Sequence, residues 1–281
     1  MLLRILSYTP LPLLYALAWV ANQVLFHISR YRKPVVEQNL AFAFPGLSMR
    51  EKQFLMRAFY RSFAEVAVEI IKARRLASSE YRQRVKITNP ELLADICAST
   101  NGPVLLLTIH QGNWEWMLHG IAIALNRGLD PVYKPLHNHF ADRFAIEVRS
   151  RFGCQPIALD HAGKHLIGLR RQQRVVAMIA DQAPVPNERQ HCVDFFDRPT
   201  AFHAGPVALA RALQTPLVFA QCQRQTKGVY RVHFHMLAKR PHLCAERELV
   251  ARYAKLAEAS IRAQPETWLW TNRRWKRSTA H

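Results

Sequence analysis

The stretch Pro103-Val-Leu-Leu-Leu-Thr-Ile-His-Gln-Gly-Asn-Trp-Glu115 joins an apolar run to a small polar cluster. Residues 104–109 are short, apolar and partly β-branched, and they follow a Gly-Pro pair, which predicts a buried strand of a parallel sheet. His110 then lies at the carboxyl end of that strand. Gly112 permits a tight turn, and Asn113 is a favoured N-cap for the helix that the next apolar residues predict. Because ligands bind at this edge of open α/β sheets, we expect a functional site at His110.

Glu115 would lie in the first turn of that helix, within reach of the His110 imidazole. In the catalytic interpretation, Glu115 fixes the tautomer of His110 and stabilises its imidazolium, while His110 takes a proton from a nucleophile. In the structural alternative, His110 lies at the edge of the core and Glu115 only complements the helix dipole. For an isolated His-x4-Glu pair the structural alternative would be preferred, but here the surrounding pattern favours catalysis.

At this block the chain resembles the bacterial lipid A late acyltransferases, the lauroyl and myristoyl transferases of lipid A synthesis. The resemblance extends over nearly the whole chain and includes Asn39-Leu-Ala-Phe-Ala-Phe-Pro45, Arg149-Ser-Arg-Phe-Gly153, Asp181-Gln182, Phe195-Phe196, Gly205-Pro206, Pro265-Glu-Thr-Trp-Leu-Trp270 and Arg273-Arg274-Trp-Lys276. It implies transfer of a fatty acyl group from acyl carrier protein to a hydroxyl of a membrane-bound glycolipid precursor, and the excess of positive charge favours an anionic glycolipid acceptor. We expect no cofactor.

Apolar strand patterns alternate with helical patterns along most of the chain, which predicts βαβ units around a sheet. We expect an α/β fold with a mixed, mainly parallel central sheet flanked by helices. Strands are predicted at residues 131–134, 155–158 and 174–180, helices at 140–152, 163–171, 204–213 and 246–262, and a late antiparallel strand pair at 216–223 and 229–236. Residues 30–281 form the predicted acyltransferase domain, and residues 1–29 form a membrane anchor.

The N-terminal segment contains no Asp, Glu, Lys or Arg from residue 5 to residue 29. About 20 helical residues cover about 30 Å, so this segment can cross a bilayer. Pro10, Pro12 and Asn22 favour the alternative of a shallow interfacial helix. The basic residues Arg30, Arg32 and Lys33 follow it and predict a catalytic domain on the cytoplasmic face of an inner membrane. A cleaved signal peptide is disfavoured, because the segment has no clear cleavage site.

A long amphipathic helix is predicted from Ser48, which forms a capping box with Glu51, to about Lys72. Its predicted apolar face consists of Phe54, Leu55, Ala58, Phe59, Phe63, Val66, Ala67 and Ile70. The helix either belongs to the core or lines a groove beside the membrane.

The chain carries 39 Lys and Arg against 20 Asp and Glu, a formal net charge of +19. This excess implies an acidic partner, such as nucleic acid, an anionic membrane, a phosphorylated lipid or an acidic carrier protein. No zinc-finger spacing, glycine-rich single-strand module or basic zipper is present, so we expect no nucleic-acid partner. The five cysteines are scattered, which predicts a reducing compartment. His233-x-His235 has no partner cluster, so no metal site is predicted.

Asp181 follows the apolar residues 175–180 and therefore falls on the same sheet edge as His110. With Gln182 it is predicted to bind substrate or to support the site, although a turn cap explains such an Asp equally well. Arg149 and Arg151 follow a predicted helix, and a solvated helix end explains either. The resemblance favours one of them, Arg149 first, as a ligand for phosphate, carboxylate or the oxyanion. Lys164 and Asn113 complete the predicted substrate-binding set.

No Gly-x-Ser-x-Gly, dinucleotide fingerprint or P-loop is present. The lack of an evident nucleophile favours direct transfer, with His110 deprotonating the acceptor hydroxyl and backbone N–H groups near Gly112 and Asn113 stabilising the oxyanion. Cys154 or Cys192 as a covalent nucleophile is the weaker alternative.

The C-terminal tryptophans Trp268, Trp270 and Trp275 lie among basic residues that include Arg273, Arg274, Lys276 and Arg277. This pattern predicts a cationic aromatic patch at a lipid headgroup boundary, or tryptophans packed in the structure. Two functional alternatives remain: the same chemistry on a lysophospholipid, aminolipid or pigment headgroup, or a basic membrane-binding protein without catalysis.

Overall fold

The central sheet has seven strands and is mixed: five mutually parallel strands extend from its centre to one edge, and the two strands at the other edge run in the opposite direction. The computed structural model describes residues 2–185 and 187–275. The strands are β1 (Val85–Ile87), β2 (Val104–Thr108), β3 (Leu129–Tyr133), β4 (Ile157–Ala158), β5 (Val175–Ile179), β6 (Gln190–Asp194), β7 (Pro199–His203), β8 (Leu217–Thr226) and β9 (Val229–Ala238). The sheet order is β1-β9-β8-β2-β5-β3-β4, and β6 and β7 form a separate antiparallel hairpin. Strands β8, β2, β5, β3 and β4 are mutually parallel, whereas β9 runs antiparallel to β8. The predicted α/β class is confirmed.

Helices cover both faces of this sheet. They are α1 (Leu2–Leu6), α2 (Leu11–Gln23), α3 (Lys33–Ala43), α4 (Met49–Lys72), α5 (Ser78–Arg84), α6 (Pro90–Ala98), α7 (Trp114–Leu125), α8 (His139–Arg149), α9 (Ala162–Gly168), α10 (Gly205–Ala212) and α11 (Glu246–Ala263). A π-helical segment, Val24–Ile28, continues α2, and short 3-10 turns lie at Arg151–Gly153, Leu159–His161, Pro241–Leu243 and Pro265–Thr267. The predicted helices and strands after residue 100 are confirmed, with ends that shift by a few residues.

Strand β2 is buried along its whole length, because a hydrophobic cluster lies on each face of the sheet. Leu105 and Leu107 belong to the cluster beneath α10 and α11, whereas Val104 and Leu106 belong to the cluster beneath α6 and α7. Successive side chains of a strand point to opposite faces, so a central strand between two helical layers must be apolar at every position. This is why the apolar run at 104–109 determines the architecture.

Helix α4 begins with the predicted capping box, in which the backbone N–H of Ser48 donates to Glu51 at 2.7 Å. The predicted apolar face is partly wrong. Phe54 is 76% exposed and Ala67 is exposed, whereas Glu65 and Glu69 are buried. Helical spacing locates a stripe of residues, but the neighbours of the helix determine how wide the buried stripe is.

Three strands were not predicted from the sequence. Strand β1 has only three residues and pairs in parallel with β9. Strands β6 and β7 are joined by Phe196 and Asp197, whose φ angles are 55° and 56°. Left-handed backbone at two consecutive residues without glycine is uncommon, so the sequence contains no recognisable hairpin signal there.

Helix α2 packs against α4 and shows two different faces. Leu11, Leu14 and Ala18 are buried in the cluster shared with α4, whereas the apolar side chains of Leu13, Leu17, Trp19 and Val20 are exposed. The stretch Leu11–Ile28 is long and apolar enough to cross a membrane, as predicted. Its packing also makes α2 part of the folded core, so residues 1–29 are joined to the remaining chain by more than a linker.

Gly120 provides a test of the packing between α7 and β1. A Cβ at this position would lie 2.5 Å from Cγ1 of Val85 and 2.8 Å from its Cβ. We expect Gly120→Ala to lower the free energy of unfolding by about 1–3 kcal/mol, the usual cost of overpacking, as measured by thermal or urea denaturation.

Gly168→Ala is the matched control, because nothing lies within 4 Å of a Cβ at the end of α9. It should leave stability unchanged or raise it by up to about 1 kcal/mol. Equal stability of the Gly120 and Gly168 variants would contradict the predicted crowding.

Candidate active site

His110 and Asp181 meet because their strands are neighbours. Strands β2 and β5 are parallel with Thr108 opposite Ile179, and each of the two site residues follows its strand by two positions. The Nδ1 atom of His110 lies 2.7 Å from Oδ1 of Asp181. The Oδ2 atom of Asp181 accepts the backbone N–H of His110 at 2.9 Å and the indole N–H of Trp268 at 2.7 Å. The carboxylate thus holds both the ring and the backbone of His110.

The electrostatics of this pair suit a general base. Burial opposes the charge of Asp181, but the adjacent His110 imidazole and the hydrogen bonds from His110 and Trp268 hold the pKa of the carboxyl below its ordinary value. An ionised carboxylate accepts only, so Nδ1 of His110 donates and Nε2 carries the lone pair. The His110 side chain is 18% exposed, whereas Asp181 is 2% exposed. The open nitrogen can therefore meet a substrate proton while its partner stays dry.

The predicted partner of His110 was wrong. Glu115 pairs with Arg149, whose Nε lies 3.0 and 3.1 Å from the two carboxylate oxygens and whose Nη2 donates to Oε1. Burial opposes the charge of Glu115, yet the guanidinium and its hydrogen bonds lower the pKa of the carboxyl. Glu115 is the second residue of α7 and meets the end of α8, while Asp181 reaches the ring of His110 from β5. The spacing from His110 allowed Glu115 as its partner, and the strand-end position allowed Asp181. Because β2 and β5 are adjacent, Asp181 is the carboxylate that contacts the ring.

The predicted cations of the site are placed differently. Arg149 is mostly buried, with its guanidinium 5.7 Å from the ring centroid of Tyr133. Arg151 donates to the carbonyls of Ala73 and Leu76 at the end of α4, so its donors serve helix capping. Lys164 is exposed on α9, beyond the edge strand β4. The structure thus brings Arg149, and not Lys164, into contact with the His110-to-Glu115 block.

The loop from His110 to Asn113 is fixed from several directions. The carbonyl of His110 accepts the N–H of Leu269 at 2.9 Å, and the N–H of Gly112 donates to Thr267 at 3.0 Å. The predicted oxyanion donor at Gly112 is therefore occupied. Gly112 has φ 61°, and a Cβ there would lie 3.0 Å from the Cys222 sulfur, so both conformation and space require glycine. Gln182, beside Asp181, is exposed.

Asn113 confirms its predicted role as N-cap of α7. Its Oδ1 accepts the backbone N–H of Trp116 at 2.9 Å, and the residue is fully buried. Its amide group donates to Glu69 of α4, a residue that sequence analysis did not single out. The available signal was a charged residue on the buried side of an amphipathic helix. Trp268 was noted in the stretch of resemblance and in the predicted cationic aromatic patch, and nothing in its spacing pointed to Asp181.

A mainly apolar groove opens beside this loop. Its walls come from α4, from the start of α7 and from the segment after α11, and they include Phe59, Phe63, Val66, Trp114, Trp268 and Leu269. The rings of Trp114 and His110 meet edge to face with centroids 5.2 Å apart. The Trp114 side of this groove therefore lies next to the imidazole.

The C-terminal tryptophans pack in the structure. Trp268 and Trp270 are buried, and Arg274 is buried with its guanidinium 4.2 Å from the ring centroid of Phe202. The predicted cationic aromatic surface is therefore wrong for these residues, because they close the core around β6 and β7. Lys276 and Arg277 lie outside the described residues.

The alternative nucleophiles find little support. Cys154 is buried, and burial raises the pKa of its thiol, which disfavours the thiolate. Cys192 is exposed on β6, which belongs to the separate hairpin. Within residues 2–185 and 187–275, no three His, Cys, Asp or Glu side chains are grouped as a metal site.

The comparison with protein families gives one match. The model of the bacterial lipid A biosynthesis acyltransferases matches residues 1–277, nearly the whole chain. Among curated proteins, none matches this chain.

His119 lies fully buried behind the Glu115 and Arg149 pair. Its Nε2 donates to the carbonyl of Val148 at 3.0 Å, and its Nδ1 accepts the Tyr81 hydroxyl at 2.8 Å. Burial lowers the pKa of His119 to about 4, from an ordinary value of 6.5, so the ring is neutral in the folded protein. The unfolded chain binds this proton more readily. Stability from this group is therefore complete above pH 6.5 and is lost as the pH falls toward 4.

We expect about 3 kcal/mol of folding stability to disappear between pH 6.5 and pH 4 through His119. Urea denaturation of the wild type and of His119→Gln across this range isolates the effect, because glutamine does not titrate. The difference in stability between the two proteins should shrink as the pH falls. A difference that stays constant would contradict the buried neutral histidine.

Proposed function

Because this chain belongs to the bacterial lipid A biosynthesis acyltransferase family, we propose that it transfers a fatty acyl group from acyl carrier protein to a hydroxyl of a lipid A precursor, with His110 as general base. The observation that carries this proposal is the hydrogen bond from Nδ1 of His110 to the buried Asp181 carboxylate, which leaves Nε2 open. This is the arrangement that proton transfer from a hydroxyl requires.

In the proposed reaction, Nε2 of His110 takes the proton of the acceptor hydroxyl as the oxygen attacks the thioester carbon. The carbonyl C=O becomes a tetrahedral oxyanion, which collapses with cleavage of the C–S bond. The imidazolium then returns its proton to the leaving thiolate, so the ring is restored. Asp181 remains ionised throughout and stabilises the imidazolium, because its oxygens already face Nδ1 and the backbone of His110.

Glu115 acts in this proposal through Arg149. The carboxylate binds the guanidinium with paired hydrogen bonds and neutralises part of its charge. A guanidinium oriented in this way next to the His110 loop is suited to bind the phosphate of an anionic acceptor or the oxyanion of the intermediate. Both Glu115 and Arg149 are therefore proposed as necessary for turnover, with a role different from tautomer control.

The apolar groove beside Trp114 is the proposed place for the acyl chain. Aromatic and aliphatic side chains line it, and burial of each methylene contributes about 0.8 kcal/mol. A chain in this groove brings its thioester to the loop that carries His110. Donor and acceptor then meet at the sheet edge.

We further propose that α2 places the enzyme on the cytoplasmic face of the inner membrane. Its exposed Leu13, Leu17, Trp19 and Val20 offer an apolar surface, and Arg30 and Lys33 follow at its end. The opposite face packs on α4, whose outer side carries charged residues. This packing supports a helix that lies in the interface, because a spanning helix would take α4 with it.

His110→Ala and Asp181→Asn should each lower kcat by at least about a hundredfold, since one removes the base and the other removes its oriented tautomer. The measurement is acyl transfer from acyl carrier protein to a purified lipid A precursor, followed by mass spectrometry of the product. Asp197→Asn, which changes a side chain 96% exposed, is the control. Turnover by the His110 variant close to that of the wild type would refute the proposed mechanism.

Arg149→Lys should lower acceptor transfer by at least about tenfold, because lysine keeps the charge but loses the paired hydrogen bonds to Glu115. Slow hydrolysis of the thioester by water should persist, since His110 and Asp181 are unchanged. If the variant loses hydrolysis as well, with an unchanged KM for the acceptor, then Arg149 belongs to the oxyanion and not to the acceptor.

A further inference from the structure

Glu69 is a fully buried carboxylate that the proposed reaction does not use. Its Oε1 accepts the Tyr15 hydroxyl at 2.8 Å, and its Oε2 accepts the side-chain amide of Asn113 at 2.9 Å and the Tyr230 hydroxyl. Its backbone carbonyl accepts the indole N–H of Trp116 at 2.8 Å. One residue in the middle of α4 thus contacts α2, β9 and both ends of the first turn of α7.

Burying this carboxyl group costs free energy, which indicates that the arrangement has a specific role. A carboxylate removed from water is destabilising unless hydrogen bonds or a cation compensate it. Glu65, one turn earlier, forms ion pairs with Arg224 and Lys227. Among the described residues Glu69 has no such ion pair, and burial raises the pKa of its carboxyl. An apolar side chain would fill the same space at lower cost, but it would not orient three donors.

The donor that matters most is Asn113. Its side chain is held at both ends, with Nδ2 donating to Glu69 and Oδ1 accepting the N–H of Trp116. Because the backbone N–H of Trp116 can only donate, Oδ1 of Asn113 faces α7 and its Nδ2 faces the Glu69 carboxyl. Asn113 follows His110 by three residues and precedes Glu115 by two. Glu69 therefore sets where the loop ends and where the helix that carries Glu115 begins.

A second of the three donors, Tyr15, connects this loop to α2. A Cβ at Gly228 would lie 2.5 Å from the Tyr15 hydroxyl, so the turn between β8 and β9 approaches Tyr15 as closely as a glycine allows. Lys227 lies 5.0 Å from the centroid of the same ring. Tyr15 is thus held in place from two sides. The opposite face of α2 is the exposed apolar surface.

We propose that Glu69 is a positioning residue that holds the active-site loop through Asn113 and joins it through Tyr15 to α2, so that contact of α2 with a lipid surface increases turnover. The inference rests on the proposed function and goes beyond it, because it assigns α2 a role in catalysis as well as in attachment. Glu69 touches no reacting atom. Its effect passes through the placement of Asn113 and of the α7 first turn.

The first test uses Tyr15→Phe in the full chain, assayed with the carrier thioester and the lipid A precursor in vesicles that contain anionic phospholipid. We expect kcat to fall by about five- to tenfold, because small displacements of a catalytic loop have large effects on rate. The KM for the carrier thioester should stay within about twofold, since the apolar groove beside Trp114 is unchanged.

Tyr60→Phe is the matched control for this test. The Tyr60 hydroxyl also joins α4 to the N-terminal segment, but it donates to the carbonyl of Tyr31 and not to Glu69. Both variants lose one hydroxyl and should show similar changes in Tm. Equal kcat for the two variants, whether high or low, would overturn the proposed link.

The second test measures hydrogen exchange of residues 110–117 with and without the same vesicles. In the wild type, vesicles should slow exchange in this segment, and in Tyr15→Phe and Glu69→Gln they should not. Vesicles of neutral lipid and vesicle-free buffer serve as references. Protection by vesicles in Tyr15→Phe equal to that in the wild type would overturn the coupling, even with altered kcat.

The two levels of inference fail in different ways. Full turnover by His110→Ala would refute the proposed function, whatever Glu69 does. If His110→Ala is inactive while Tyr15→Phe matches Tyr60→Phe in kcat and in exchange, the acyltransferase mechanism stands and only the coupling is wrong.

Discussion

The interaction on which the site depends is the hydrogen bond between Nδ1 of His110 and the buried carboxylate of Asp181. It exists because β2 and β5 are adjacent, parallel and in register, so that residues two positions beyond Thr108 and Ile179 come together. Each strand must be apolar throughout to lie between two helical layers, and the first polar residues after such strands meet at the sheet edge. The hydrophobic effect that forms the sheet therefore also brings the pair together, and the indole N–H of Trp268 donates to the same carboxylate.

A second set of polar contacts stabilises the helices next to this pair. Glu115 and Arg149 join the start of α7 to the end of α8, and neutral His119 joins the middle of α7 to Val148, next to Arg149. Arg151 continues the connection by capping α4. The same elements carry the loop and support it, so that acid, which charges His119, is expected to loosen both.

The net charge of +19 does not lie entirely on the surface of the protein. Arg149, Arg174, Arg224 and Arg274 lie wholly or partly inside, where they pair with carboxylates or stack on rings. Composition counts these residues toward a cationic face, although they hold elements together. The exposed lysines and arginines that remain, such as those after α2, are the ones available for an anionic lipid or carrier.

The sequence by itself determined the α/β class, the buried strand before His110, the caps of α4 and α7 and the position of Asp181 on the same edge, because periodicity, glycine and capping residues act locally. Only the tertiary structure decided that Asp181 and not Glu115 orients His110, that Arg151 caps a helix, that Trp268 and Trp270 are core residues, and that Glu69 meets Asn113. Each of these outcomes depends on which elements become neighbours. A local pattern limits how far a side chain can reach, but the packing of the sheet and helices selects which of the groups within reach it binds.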